Sequence, residues 1–133
     1  MLVYTSPPEG FHSTMETVGF FGVYQDTLLH LLRQDHKVDG NKRAGPGGKI
    51  DSEDISPVAA MQRELKEETK IELPVDDFEY LKTYYVRYPE RDFVYHKYRY
   101  VFSEKPEVKI NIKEHKDFDW FTPEEALNHV LLL

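Results

Sequence analysis

One stretch leaves this chain few alternatives. It runs Gly45-Pro46-Gly47-Gly48-Lys49-Ile50-Asp51 and, after a short spacer, continues from Ser56 to Ile71. A glycine-rich loop feeds one short helix. Ser56 is placed to cap the helix N-terminus, and Pro57 suits the first helical position, where its missing N–H is not needed. At about 100° per residue, Val58, Met61, Leu65 and Thr69 form one stripe that should pack on a core. Ala60, Glu64, Glu67 and Glu68 fall on an adjoining arc about 100° wide. Three carboxylates therefore crowd one face around a small alanine.

That crowding opposes helix formation. Glu64 with Glu67, and Glu64 with Glu68, are like-charged pairs at helical neighbour spacing, each costing roughly 0.2–0.5 kcal/mol. Arg63, one turn before Glu67, can relieve part of the repulsion. A hard cation such as Mg²⁺ seeks clustered carboxylate oxygens and would turn repulsion into attraction. The competing reading is a solvated acidic helix face.

The same residues resemble the signature of the Nudix hydrolases, a glycine followed at a set distance by Arg-Glu-aliphatic-any-Glu-Glu-any-Gly-aliphatic. Here it stands as Gly48, then Arg63-Glu64-Leu65-Lys66-Glu67-Glu68-Thr69-Lys70-Ile71, a box spanning about residues 48–71. Two departures stand out. The spacer is one residue longer than usual, so the loop glutamate of the pattern falls on Ile55 counted from the helix and on Asp54 counted from Gly48. Glu53 and Asp54 are the acidic residues available for that role. Lys70 replaces the glycine that closes the helix, a position where the chain often turns through the left-handed region.

The resemblance implies an α+β domain, a Nudix-type α/β/α sandwich with a mixed sheet, over residues 1–133. It implies Mg²⁺, with Mn²⁺ as an alternative, held by Glu64, Glu67, Glu68 and the Gly48 carbonyl. It also implies hydrolysis of a nucleoside diphosphate linked to a further group. The glycine approach looks like that of MutT-type enzymes, which points to a (deoxy)nucleoside triphosphate, oxidised or not, cut to monophosphate and pyrophosphate. ADP-ribose, a dinucleoside polyphosphate and a non-catalytic nucleotide sensor are the alternatives. Arg63 would position a carboxylate, and Lys49 would meet phosphate or solvent. Late in the chain Glu114-His115 precedes Trp120, resembling the family segment whose glutamate is an extra metal ligand or the catalytic base. That assigns Glu114 a functional role and leaves His115 structural or exposed.

Around the box the chain reads as follows. Residues 1–13 hold Pro7, Pro8 and Gly10 without a sustained period, an irregular lead-in. Met15–Tyr24 and Thr27–Arg33 suggest a hairpin turning at Gln25-Asp26, although the leucine run alone also suits a helix. Phe21 and Tyr24 are candidates to stack on a base, against the alternative that they pack in the core with Phe20. Asp39-Gly40-Asn41 is a turn signal. Phe78–Val86 and Phe93–Ser103 read as an antiparallel pair joined by a polar turn over 87–92. Tyr88 falls where a tyrosine marks dinucleoside polyphosphate hydrolases, a weak signal among nine tyrosines. Glu107–Ile112 reads as a short strand. Thr122-Pro123-Glu124-Glu125 is a capping box opening a helix to about Val130, and Leu131–Leu133 is an apolar end needing a partner surface.

Composition excludes several classes. The length of 133 residues suits one domain. A net charge of −7 argues against a binder of long nucleic acid, which wants a basic stripe. With no cysteine there is no disulfide framework or thiol chemistry. No apolar run reaches the roughly 18 residues of a membrane span, and no signal-peptide layout opens the chain. The expectation is a cytoplasmic enzyme of small nucleotides, with homodimerisation left open.

Overall fold

The computed structural model describes residues 1–126. Eight strands form one mixed sheet: β1 (Leu2–Tyr4), β2 (Ser13–Tyr24), β3 (Thr27–Arg33), β4 (Arg43–Ala44), β5 (Gly47–Lys49), β6 (Glu79–Tyr88), β7 (Arg91–Phe102) and β8 (His115–Phe121). The main path is β1-β6-β7-β2-β3-β4, with β5 on β2 and β8 on β3. Among the described residues only β2 and β7 run parallel, in register from Glu16↔Val94 to Tyr24↔Phe102; the other pairs are antiparallel.

β2 carries three partners, β7 along one edge and β3 and β5 along the other. Its C-terminal end turns into β3 through Val23↔Leu28 and Tyr24↔Thr27, while its middle pairs with β5 from Thr17↔Lys49 to Gly19↔Gly47. The glycine strand is thereby pinned against the sheet. α1 (Pro57–Thr69) lies across β2 and β5 and buries Ala60, Met61, Leu65 and Thr69. Those side chains meet Val18, Phe20, Leu29, Leu31, Phe78 and Tyr98. Full burial of a side chain such as Leu65 or Met61 contributes about 1.5–3 kcal/mol. Ala60 joins the core, fully buried, while Val58 packs at its edge. α2 opens at Pro123, with Thr122 and Glu125 exchanging hydrogen bonds of 3.0 and 3.1 Å, the capping box read from sequence.

Three expectations need correction. The lead-in is not wholly irregular, because Leu2–Tyr4 forms β1 on the outer edge of β6. The turn between β6 and β7 shrinks to Pro89-Glu90: the Arg87–Asp92 ion pair at 2.9 Å lets both strands run to their ends, and Asp92 also accepts the His12 N–H. Glu107–Ile112 joins no ladder. It runs extended past α1, where the Lys109 N–H bonds the Thr69 carbonyl at 2.9 Å and Val108 and Ile110 pack on the core. The far end of the last helix and Leu131–Leu133 lie outside the described residues.

Candidate active site

The site grows from the cap of α1. Ser56 Oγ accepts the Ala59 N–H at 3.2 Å, and Pro57 opens the helix. At the other end Lys70 takes φ 65° and returns its N–H to the Lys66 carbonyl. The left-handed turn is therefore kept without glycine. Thr69 Oγ1 reinforces it by donating to the Leu65 carbonyl at 2.6 Å and accepting the Ile71 N–H at 3.1 Å. This fixes the direction in which Glu64, Glu67 and Glu68 leave the helix.

Glu68 is held hardest. Its Oε1 accepts the Gly47 N–H at 2.8 Å, and its Oε2 stands 3.9 Å from His115 Nε2. Burial, then the neighbouring Glu64, pushes its carboxyl well above the ordinary range. Glu64 lies against Gly48, where a Cβ would come within 2.6 Å of its carboxyl carbon. Its pKa is pushed up to about 7, chiefly by burial, although Arg63 donates to it at 2.9 Å. Glu67 is exposed and accepts from Arg63 at 3.2 Å.

Arg63 is the organiser. Its guanidinium also grips both oxygens of Asp54, at 3.0 and 2.9 Å, and reaches the Lys49 carbonyl at 3.0 Å. The hydrogen bonds from Arg63 hold the Asp54 carboxyl below its usual range. Asp54 also accepts the Asp51 N–H at 2.8 Å, closing the loop on itself. Of the two acidic candidates in the long spacer, Asp54 is thus the one on Arg63. The extra length is absorbed in the exposed run of Ser52 and Glu53, and Ile55 is 94% exposed.

Two clefts meet at this helix. One, of about 410 Å³, is walled by Glu64, Glu67, Glu68, Glu114, Arg33 and Gly48 among others. Glu114 faces it and pairs with Lys37 at 3.3 Å. The other, of about 210 Å³, shares Arg33, Gly47, Gly48 and Glu68 with the first. It continues to Thr17, Tyr95, Phe93, Tyr88 and Arg91.

Not every expected residue reaches a cleft. Lys49 is exposed on β5 and belongs to neither wall; its contribution here is its carbonyl. Phe21 and Tyr24, the candidates for base stacking, also line neither of these two clefts. Phe21 sits on the sheet face away from α1, with Lys97 Nζ 3.7 Å from its ring centre, and Tyr24 packs edge-on against Trp120. His115, read as structural or exposed, is buried beside Glu68, and burial pulls its pKa down to about 4. Of the aromatic wall of Tyr88, Phe93 and Tyr95, the sequence singled out Tyr88 alone, as a weak marker, since only the β6–β7 register brings the three to the glycine strand.

The donor set fits a hard divalent cation, being carboxylates and backbone carbonyl without thiols. Half-buried Glu64 and Glu68 repel one another; Arg63 bonds Glu64 directly, while the guanidinium of Arg33 acts on Glu68 without a hydrogen bond shown between them, a charge deficit that such a cation would fill. Among the described residues, no three acidic or histidine side chains form a closed metal-binding cluster. The arrangement suits an ion that takes one or two carboxylates and completes its shell with water and substrate phosphate.

A helix of clustered carboxylates over a glycine strand, open to a polar cleft, defines a site for divalent-cation and phosphate chemistry. The family model for the NUDIX domain matches residues 14–132. The chain belongs to the Nudix family, whose hydrolases act on pyrophosphate linkages with the help of divalent metals.

Solved structures share the fold. The NUDIX domain of Shewanella oneidensis NrtR, complexed with ADP-ribose, superposes with a TM-score of 0.75 at 24% identity, covering 95% of this chain and 84% of that one. A MutT/nudix family protein from Enterococcus faecalis gives 0.70 at 24% identity over 87% of this chain and 46% of that one. A bifunctional NMN adenylyltransferase/ADP-ribose pyrophosphatase from Francisella tularensis, complexed with AMP and a manganese ion, gives 0.70 at 23% identity over 90% of this chain and 37% of that one. The chain thus spans less than half the length of the last two. No curated protein shows significant sequence similarity to it. Among the described residues no helix is long and apolar enough to cross a membrane.

Proposed function

We propose that this chain is a Mg²⁺-dependent pyrophosphohydrolase of a nucleoside diphosphate linked to a further group. The observation that carries the reading is the half-buried pair Glu64 and Glu68, packed on the glycine strand at Gly48 and Gly47 and opening on one cleft with Glu67 and Glu114. Mg²⁺ in that cleft, with Mn²⁺ as a substitute, would supply charge neutralisation for the pyrophosphate and acidify a water molecule. Glu64, Glu67 and Glu68, with the Gly48 carbonyl, are the groups that would hold it. Arg63 positions Glu64 and Glu67 while leaving the substrate to others. Glu114, or failing it a box glutamate, accepts the proton of the attacking water. That water adds its hydroxyl to one phosphorus as the bridging P–O bond breaks, and the second phosphate leaves with the electron pair.

The first substrate class is a (deoxy)nucleoside triphosphate, cut to monophosphate and pyrophosphate, supported by the MutT-like glycine approach. A second reading, ADP-ribose, is favoured by the 0.75 superposition on a NUDIX domain complexed with that ligand. A panel of canonical and oxidised triphosphates, ADP-ribose and a diadenosine polyphosphate, assayed with Mg²⁺ and with products separated, tests the choice. Monophosphate plus pyrophosphate from one triphosphate supports the first reading; AMP plus ribose 5-phosphate from ADP-ribose replaces it with the second. Nucleotide binding with no turnover of any compound overturns both in favour of a sensor.

A further inference from the structure

His115 is a buried side chain at the site to which pyrophosphate chemistry assigns no task. Its imidazole is 4% exposed, and Nδ1 has no hydrogen-bond partner among the described residues. Buried polar atoms nearly always find a partner, so an orphan asks for a reason. The placement of the ring is built into the sheet. β8 pairs with β3 at Leu32↔Asp117 and next at Arg33↔His115, which leaves Lys116 as an extra residue without a partner on β3. A bulge of this kind bends the strand and re-aims a neighbouring side chain. Lys116 itself pairs with exposed Asp35. The His115 N–H bonds the Asn111 carbonyl at 2.9 Å, and the His115 carbonyl accepts from the Gln34 amide at 3.4 Å. Held in this way, the ring walls the smaller cleft together with Glu68 and Gly47. Its Nε2 stands 3.9 Å from Glu68 Oε2, while Glu68 Oε1 accepts the Gly47 N–H at 2.8 Å.

We propose that His115 is a positioning residue for Glu68: its Nε2–H holds Oε2 while the Gly47 N–H holds Oε1, so the carboxylate meets the cation in one fixed orientation. This rests on the reading that Glu68 is a metal-holding group. A neutral imidazole has one donor nitrogen and one acceptor nitrogen. With the proton on Nδ1, a donor would be buried without a partner, and the Nε2 lone pair would face a carboxylate oxygen. With the proton on Nε2, the donor faces that oxygen and the orphan is an acceptor. Unpaired acceptors are the commoner kind in folded proteins, as the backbone shows. The contact at 3.9 Å is longer than a hydrogen bond, and a shift of about 1 Å closes it. Hydrogen bonds at active sites are often loose until the site is loaded. Each oxygen of Glu68 keeps a lone pair for the cation. A carboxylate already held at both oxygens loses less freedom when the cation arrives, which raises affinity.

Metal affinity and the tautomer of the ring are both read without turnover. Mn²⁺ binding is measured by electron paramagnetic resonance in the wild-type chain, His115→Gln and His115→Phe, with the melting temperature of the metal-free protein as the check on folding. Glutamine can bring an amide N–H to the place of Nε2, whereas phenylalanine keeps a ring and removes the donor. His115→Phe is expected to weaken Mn²⁺ binding about ten- to a hundredfold, the loss usual for a partner behind a metal ligand, and His115→Gln to recover most of it. In the wild-type chain with Mg²⁺ bound, the ¹⁵N resonances of the His115 ring should report the proton on Nε2. Unchanged Mn²⁺ affinity in folded His115→Phe, an equal loss in both variants, or a proton on Nδ1 overturns the proposal. If His115→Phe does not fold, the tautomer decides: Nε2–H sustains the proposal and Nδ1–H overturns it. A wild-type chain that binds no Mn²⁺ would overturn the reading of Glu68 as a metal-holding group, a failure distinct from the others.

Discussion

Gly48 has no room for a side chain because the Glu64 carboxylate occupies the place a Cβ would take. Gly48→Ala should therefore displace Glu64 and lower kcat by a hundredfold or more, the scale on which a misplaced active-site group acts; a steady-state assay of the folded variant checks it. Glycine was legible in the sequence as a place of close approach, but what approaches was not. The same holds at Gly19, where a Cβ would fall 1.7 Å from the Tyr95 hydroxyl. Gly19→Ala should cost about 1–3 kcal/mol in urea unfolding, and pairing it with Tyr95→Ala should cost less than the two changes summed. Glu64, Glu67 and Glu68 were readable because helical periodicity alone gathers them. Asp54 was only one of two candidates, since counting along a loop does not say which carboxylate meets Arg63.

At the scale of elements, α1 shows how a local rule can be broken without losing the geometry it serves. Lys70 adopts φ 65°, a conformation costing a side-chain-bearing residue about 1–2 kcal/mol. Lys70→Gly should release part of that strain and raise the melting temperature by a few degrees, measured by calorimetry. An unchanged or lower melting point would mean that the lost side chain outweighs the strain. The hairpin of β2 and β3 and the pair β6 and β7 could be read from alternation and turn residues. β1 and the segment Glu107–Ile112 could not. Three residues pair or fail to pair according to what lies beside them, and Glu107–Ile112 lies against a helix end where no strand is free.

For the whole molecule, charge placement matters more than net charge. Lys97 is 7% exposed on the sheet face away from α1, and burial pulls its pKa down to about 8. Its near contacts are the Tyr95 hydroxyl at 3.2 Å and the Phe21 ring. The unfolded chain binds this proton more tightly than the folded one, so the burden of Lys97 is greatest below pH 8 and fades as pH rises through its unfolded value near 10.4. After allowance for the cation–π contact, Lys97→Met should stabilise the fold by about 2 kcal/mol at pH 7. The advantage should shrink toward pH 10.5; urea unfolding at both pH values checks the difference. Sequence reading could place Lys97 on a strand but not say which face it takes or that the face covers it, because one register step decides which face a strand residue takes.

The account stands most directly on one measurement: pyrophosphate cleavage as a function of Mg²⁺ concentration, for the wild-type chain and for Glu67→Gln. Glu67 is exposed and outside the core, so its loss leaves the fold intact. Cleavage that saturates with Mg²⁺, stops with a chelator and falls by a thousandfold or so in Glu67→Gln, at unchanged melting temperature, is the predicted result. Cleavage that proceeds without divalent metal, or survives in Glu67→Gln, would contradict the assignment of α1 as the metal-holding helix.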